Sequence, residues 1–125
     1  MINTVSTDKA PAAVGPYSQA LEVNGLVFCS GQIGIDPKTG NLVMGIEGQI
    51  KQALSNLSAV LEASGSDTKH VVKTTVYIKN MSDYAVFNQI YGEFFGDHKP
   101  ARATVEVARL PKDALIEVEA IAVKN

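Results

Sequence analysis

The sequence predicts a single α+β domain: one mixed β-sheet with two helices packed on one face. Three observations point there. Alternating or β-branched runs lie near both ends and in the middle, two stretches carry apolar residues at steps of three and four, and the order is strands, helix, strand, helix, strands. At 125 residues the chain suffices for one core and is too short for two.

"SQALEVNGLVFCSGQ" (18–32) reads as a hairpin, with Asn24-Gly25 as a type I′ turn between two strand-like runs. "DPKTGN" (36–41) is a second turn. Ile46, Ile50, Ala53, Leu54, Leu57, Val60 and Leu61 then form the stripe of an amphipathic helix of about four turns, which Gly65 is suited to end. "HVVKTTVYIK" (70–79) is β-branched and predicts a strand. Ser82 offers an N-cap, with Met81 and Val86 as a hydrophobic staple. Phe87, Ile90, Tyr91 and Phe94 give the second helix its stripe, and Gly96 its end. The closing stretch "PARATVEVARLPKDALIEVEAIA" (100–122) reads as two strands joined by a proline turn. No repeat, linker or low-complexity tract interrupts the chain.

Two helices can cover only one face of such a sheet. Yet "LVFC" is continuously apolar, and Val71, Val72, Val76, Tyr77 and Ile78 fall on both sides of their strand. Strands apolar on both faces need a second cover, which predicts an oligomer.

Composition narrows the function classes. A formal charge of −2, with 46% apolar and 19% charged residues, is ordinary for a globular protein and argues against a partner held through its phosphates. No apolar run is long enough to span a membrane. The first residues lack a signal-peptide pattern, and a lone cysteine fits a reducing compartment, so the expectation is cytoplasmic. His70 and His98 lie far apart without ligand-spaced partners, so neither a metal nor another cofactor is expected.

The chemistry gathers in the closing stretch. Period two puts Arg102, Thr104 and Glu106 on one face of the first strand, and Glu117 and Glu119 with Ile121 and Val123 on one face of the second. Solvated cross-strand ion pairs are one reading. The other is a pocket that holds an anion on Arg102 and uses Glu117 on a water. Arginine suits a carboxylate through its planar fork, and Pro100 fixes the approach of the chain to the strand. Glu117 is placed as a general base, with Glu119 an equal candidate on the same face. Arg109, by parity on the other face, reads as a surface partner of an acid. Tyr17, after Gly15-Pro16, either overhangs a cleft or fills a core edge. Ser30 and Gly31 in "SGQ" offer a hydroxyl and a close backbone approach, or simply a strand-end turn. Cys29 ends an apolar run with no histidine near it and reads as a core thiol.

"APAAVGPYSQA", "SGQIGIDPKTG", "KTTVYIKNMSDYAVFNQIYGEFF" and "PARATVEVARLPKDALIEVEAIAV" together resemble the RidA/YjgF family along essentially the whole chain. The resemblance implies a chorismate-mutase-like α+β fold, a trimeric barrel with clefts between subunits, and hydrolysis of small 2-imino acids to 2-keto acids and ammonia. By motif, Arg102 would bind the substrate carboxylate and Glu117 would handle water, leaving Glu119 a bystander. Tyr17, Ser30 and Gly31 would line the cleft, with Tyr84 closing it. Thr104 stands where many relatives have cysteine, and the "GDHKPAR" approach is shorter than in some of them. Two rivals belong to other classes. A non-catalytic sensor of small carboxylates would keep Arg102 without needing Glu117. A ribonuclease or translation inhibitor would need the basic surface that the composition lacks.

Overall fold

A computed structural model describes residues 1–125. Six strands form one sheet: β1 (Asn3–Val5), β2 (Ala20–Val23), β3 (Leu26–Gln32), β4 (Val71–Ile78), β5 (Ala101–Glu106) and β6 (Ile116–Val123). Two helices, α1 (Ile46–Ala63) and α2 (Tyr84–Phe95), lie on one side of it. The spatial order of the strands is β1-β2-β3-β6-β4-β5, and only the β4–β5 pair is parallel.

Local signals explain most elements. Asn24 and Gly25 have φ of 51° and 79°, the left-handed pair that a type I′ turn requires, and β2 and β3 pair in register on either side. In α1, Ile50, Leu54, Leu57 and Leu61 are buried against the sheet. Each contributes on the order of 1.5–3 kcal/mol through the apolar surface removed from water. The helix ends where expected: the Ser66 amide reaches the Leu61 carbonyl at 2.9 Å and the Gly65 amide the Glu62 carbonyl at 3.1 Å. Gly65 takes φ 78° just beyond the last turn, a conformation that costs other residues a Cβ clash.

Two expectations fail. Ser82 does not cap α2: Met81–Asp83 form a 3-10 turn, Asp83 occupies the cap position without a side-chain bond, and Met81 is exposed rather than stapled. The Met81 amide is satisfied instead by the Glu106 carboxylate at 2.8 Å. The two strands of the closing stretch form as expected, joined through Pro111, but they are not neighbours in the sheet, so the cross-strand reading fails. β4 lies between β5 and β6, pairing parallel with the first and antiparallel with the second. Cross-strand ion pairs between β5 and β6 are therefore impossible, and none of their charged residues forms a salt bridge.

Register settles the two faces. Thr74 lies opposite both Arg102 and Ala120, and Val76 opposite both Thr104 and Val118, on the face buried beneath the helices. Tyr77 lies opposite Val105 and Glu117, and Thr75 opposite Ala103 and Glu119, on the face away from them. That second face carries Leu26, Phe28 and Val105, all exposed in the single chain. No helix is long and apolar enough to cross a membrane.

Candidate active site

Arg102 lies on the helix side of the edge strand β5. One of its nitrogens, Nη2, donates to the Tyr84 hydroxyl at 3.0 Å and to Asn88 Oδ1 at 2.7 Å. Tyr84 and Asn88 are one turn apart on α2, so both reach the same point. The guanidinium carbon stands 4.8 Å from the Tyr91 ring centroid and 5.5 Å from that of Phe87, an arrangement that favours a cation. Tyr91 is itself fixed by its hydroxyl, 2.7 Å from that of Thr74 on β4. No carboxylate pairs with Arg102, and its Nε and Nη1 make no side-chain bond. The fork is held by neutral partners and remains available to an anion. The side chains of Asn88 and then Arg102 hold the Tyr84 phenol below its ordinary pKa.

Thr104 follows two residues along the same face. Its Oγ1 is buried without any hydrogen-bond partner, the one such side-chain atom in the protein. A buried, unpaired hydroxyl costs about 1–3 kcal/mol, and an oxygen enclosed by its own chain is as closed to a ligand as to solvent. Thr104→Val, which keeps the shape and removes the hydroxyl, should raise thermal stability by about 1 kcal/mol. A lower melting temperature would show that the hydroxyl is already paired in the assembled protein.

Glu117 belongs to the other half. It shares a cavity of about 310 Å³ with Tyr17, Gly31 and Lys112, walled on its apolar side by Val14, Ile33 and Ile35. Gly31 is needed because a Cβ there would stand 2.7 Å from Glu117 Oε2; its role is room for the carboxyl rather than an unusual φ. Burial first, and then the like charge of Glu119, push the Glu117 carboxyl above its ordinary pKa. Glu119 accepts from the Tyr77 hydroxyl at 3.3 Å, whereas Glu117 has no hydrogen-bond donor within the chain. The two glutamates are thereby distinguished. Glu117 is the unengaged one, and the neighbouring Glu119 charge adds to the rise of its pKa.

Ser30 serves the wall of this cavity. Its hydroxyl donates to the Ser18 carbonyl at 2.6 Å, and its amide to the Gln19 carbonyl at 3.0 Å, pinning the loop that carries Tyr17. Tyr17 is half exposed, overhanging the cavity rather than filling the core. Buried amides, which the sequence reading passed over, hold the remaining walls. Gln19 binds the Thr7 amide and the Thr7 and Pro11 carbonyls, and Asn56 on α1 donates to the carbonyls of Ile33 and Ile35. Nothing in the apolar periodicity marks such positions; each is a polar residue inside or beside a run that pattern alone treats as core.

The remaining candidates stay apart from both halves. Arg109 pairs on the surface with Asp113 at 2.8 Å. Cys29 is buried, which pushes its thiol up to about 12, so it is protonated near neutral pH and packs as an apolar group. His70 bonds to Asp67 and His98 to the Val71 carbonyl, and nowhere do three His, Cys, Asp or Glu side chains converge as a metal would need.

In one chain, then, Arg102 and Glu117 project from opposite faces of the sheet. The geometry defines a class: an α+β protein with two polar half-sites, an anion-ready arginine on one face and a raised-pKa carboxyl on the other. The family described as Endoribonuclease L-PSP matches residues 7–124. The chain is 48% identical to the 2-iminobutanoate/2-iminopropanoate deaminase of Salmonella typhimurium and 53% identical to a RutC family protein of Pyrococcus horikoshii, each comparison covering both chains completely. The crystal structure of Escherichia coli TdcF with bound serine superposes with a TM-score of 0.95 at 40% identity, covering 98% of this chain and 99% of that one. This chain belongs to that family, the RidA/YjgF family.

Proposed function

We propose that the protein is a hydrolytic deaminase of small 2-imino acids, working at clefts between the subunits of a homotrimer. The observation that carries the reading is the division of the site: Arg102 and Glu117 each stand without a charged partner, on opposite faces of one sheet. A second copy packed on the exposed Leu26, Phe28 and Val105 covers the apolar face. In the same contact it brings the Glu117 cavity of one subunit against the Arg102 edge of the next. The names of the deaminase relatives and the serine bound to TdcF favour a small amino-acid-like carboxylate as ligand.

The reaction requires little machinery. An iminium carbon is already electrophilic, so the site has to hold the carboxylate, present a water and move protons. Arg102 offers two parallel charge-assisted bonds to the carboxylate. Glu117, ionised, takes a proton from water as the water oxygen bonds to C2, giving a tetrahedral carbinolamine. The same carboxyl returns that proton to nitrogen and then takes the hydroxyl proton as the C–N bond breaks and the C=O bond forms, so ammonia leaves with a 2-keto acid and the last proton passes to ammonia or solvent. The Tyr84 hydroxyl and the Thr104 backbone lie on the Arg102 side to orient the substrate, and Tyr17, Ser30 and Gly31 shape the water side.

A sensor without catalysis has no use for a carboxyl held above its ordinary pKa over a glycine. A ribonuclease is disfavoured by the charge of −2 and by an Arg102 ringed with aromatics rather than other bases. The test is to generate 2-aminoacrylate with a dehydratase and follow its decay, while light scattering reports the assembly. Accelerated decay by a trimer is expected. An unchanged decay rate removes the deaminase reading, and a stable active monomer removes the shared cleft.

A further inference from the structure

The segment Pro111–Asp113, between β5 and β6, carries two consecutive non-glycine residues in the left-handed region: Lys112 and Asp113, each with φ 56°. L side chains rarely adopt this conformation, and a neighbouring pair of them persists only where the surroundings enforce it. Leu110 and Ala114 do so from either end, buried with Ile33 in a small apolar cluster beneath the turn. Arg109 holds Asp113 from outside at 2.8 Å. What this arrangement presents is Lys112, which lines the same cavity as Glu117. It is the only basic residue of that lining, Glu117 is the only acidic one, and Lys112 pairs with no carboxylate.

A cavity whose other charge is a glutamate repels the carboxylate substrate proposed above, and Arg102 answers that repulsion only from the neighbouring subunit. We infer that Lys112 is a specificity-determining cation that draws carboxylate ligands into the Glu117 cavity, held at its mouth by the left-handed turn. The inference rests on the deaminase reading for its substrate but not for its measurement. Its ammonium acts through partly aqueous space, so the effect falls on capture of the ligand more than on the chemical step and is screened by salt.

The experiment measures binding of 2-oxobutanoate, an unreactive carboxylate of the product class, together with kcat and KM for the imine. In Lys112→Gln the Kd and KM should rise about three- to tenfold, with kcat falling less, and Lys112→Glu should lose more. Raising salt from about 20 to about 500 mM should weaken binding to wild type more steeply than to Lys112→Gln. Lys112→Arg should recover most of the affinity. Lys112→Asn tolerates the left-handed backbone and should melt at or above wild type, yet bind as poorly as Lys112→Gln, which separates charge from turn geometry. Equal affinity and equal salt dependence in wild type and Lys112→Gln overturn the inference, as does failure of wild type to bind 2-oxobutanoate. If wild type binds the keto acid through Lys112 but leaves imine decay unchanged, the deaminase reading falls and this one stands.

Discussion

Mixing Arg102→Ala subunits with Glu117→Gln subunits is expected to restore imine hydrolysis that neither variant has alone. The expectation follows from register. Arg102 shares its face with Thr74 and Ala120, under the helices, whereas Glu117 shares the opposite face with Tyr77 and Val105. No side-chain rotation carries either group through the sheet, so a site using both takes them from different chains. In the proposed closed ring of three, every cleft would receive Arg102 from one subunit and Glu117 from the next. After random reassembly of equal amounts, half the arginine donors and half the glutamate donors are intact, so about one quarter of the clefts are complete. Recovery near that fraction, on trimers shown by native mass spectrometry to be mixed, is the expected result. No recovery in verified mixed trimers would place both groups in one chain and sink the shared cleft. Arg102→Lys adds a finer reading: the charge stays but the fork is lost, and loss of one charge-assisted bond of about 1.5–3 kcal/mol lowers kcat/KM roughly ten- to a hundredfold.

The local elements were legible because their signals are local. Asn24-Gly25 dictates its own turn, the three-and-four stripe dictates α1, and the β-branched run dictates β4. Strand order was not legible. The reading of 100–122 as a pair assumed that consecutive strands are neighbours, and β6 instead inserts between β3 and β4 through contacts far apart in sequence. Without that register, parity within β5 and within β6 could sort each strand's residues but could not compare the two strands. The opposed placement of Arg102 and Glu117 was therefore invisible. Residue types exposed the chemistry better than its support. Arg102, Glu117 and Tyr17 announce themselves by what they can do, whereas Asn88, Gln19 and Asn56 matter only through partners that folding brings to them. In sequence Gly31 reads either as room for a ligand's approach or as a strand-end turn, and the structure adds a further reason, the Glu117 carboxyl lying over its Cα. The Ser82 cap failed because the Met81–Asp83 turn moved the start of α2 beyond it.

Glu117→Gln should lower kcat about 10²- to 10⁴-fold while changing the Kd for 2-oxobutanoate far less, since it removes a base and keeps the shape of the cavity. The pH dependence identifies the group. In the proposed mechanism hydrolysis needs ionised Glu117, and burial together with the Glu119 charge sets its pKa above the ordinary carboxylate value. Wild-type kcat/KM should therefore fall on acidification with a midpoint above about 4.3, the unperturbed glutamate value, and Glu117→Gln should lack that limb. Glu119→Gln, which removes the like charge, should move the midpoint down and leave a base in place. Stability runs the other way. A carboxyl whose folded pKa is raised favours folding below its unfolded pKa, and that contribution is lost as pH rises through the folded pKa. At neutral pH the ionised Glu117 is thus a cost, and Glu117→Gln should melt at or above wild type at pH 7, with the difference gone in acid. A purely structural glutamate predicts the reverse: a lower melting temperature with the rate nearly intact. That outcome would withdraw Glu117 from the chemistry and move the search for the base to Glu119, on the same face and hydrogen-bonded by Tyr77.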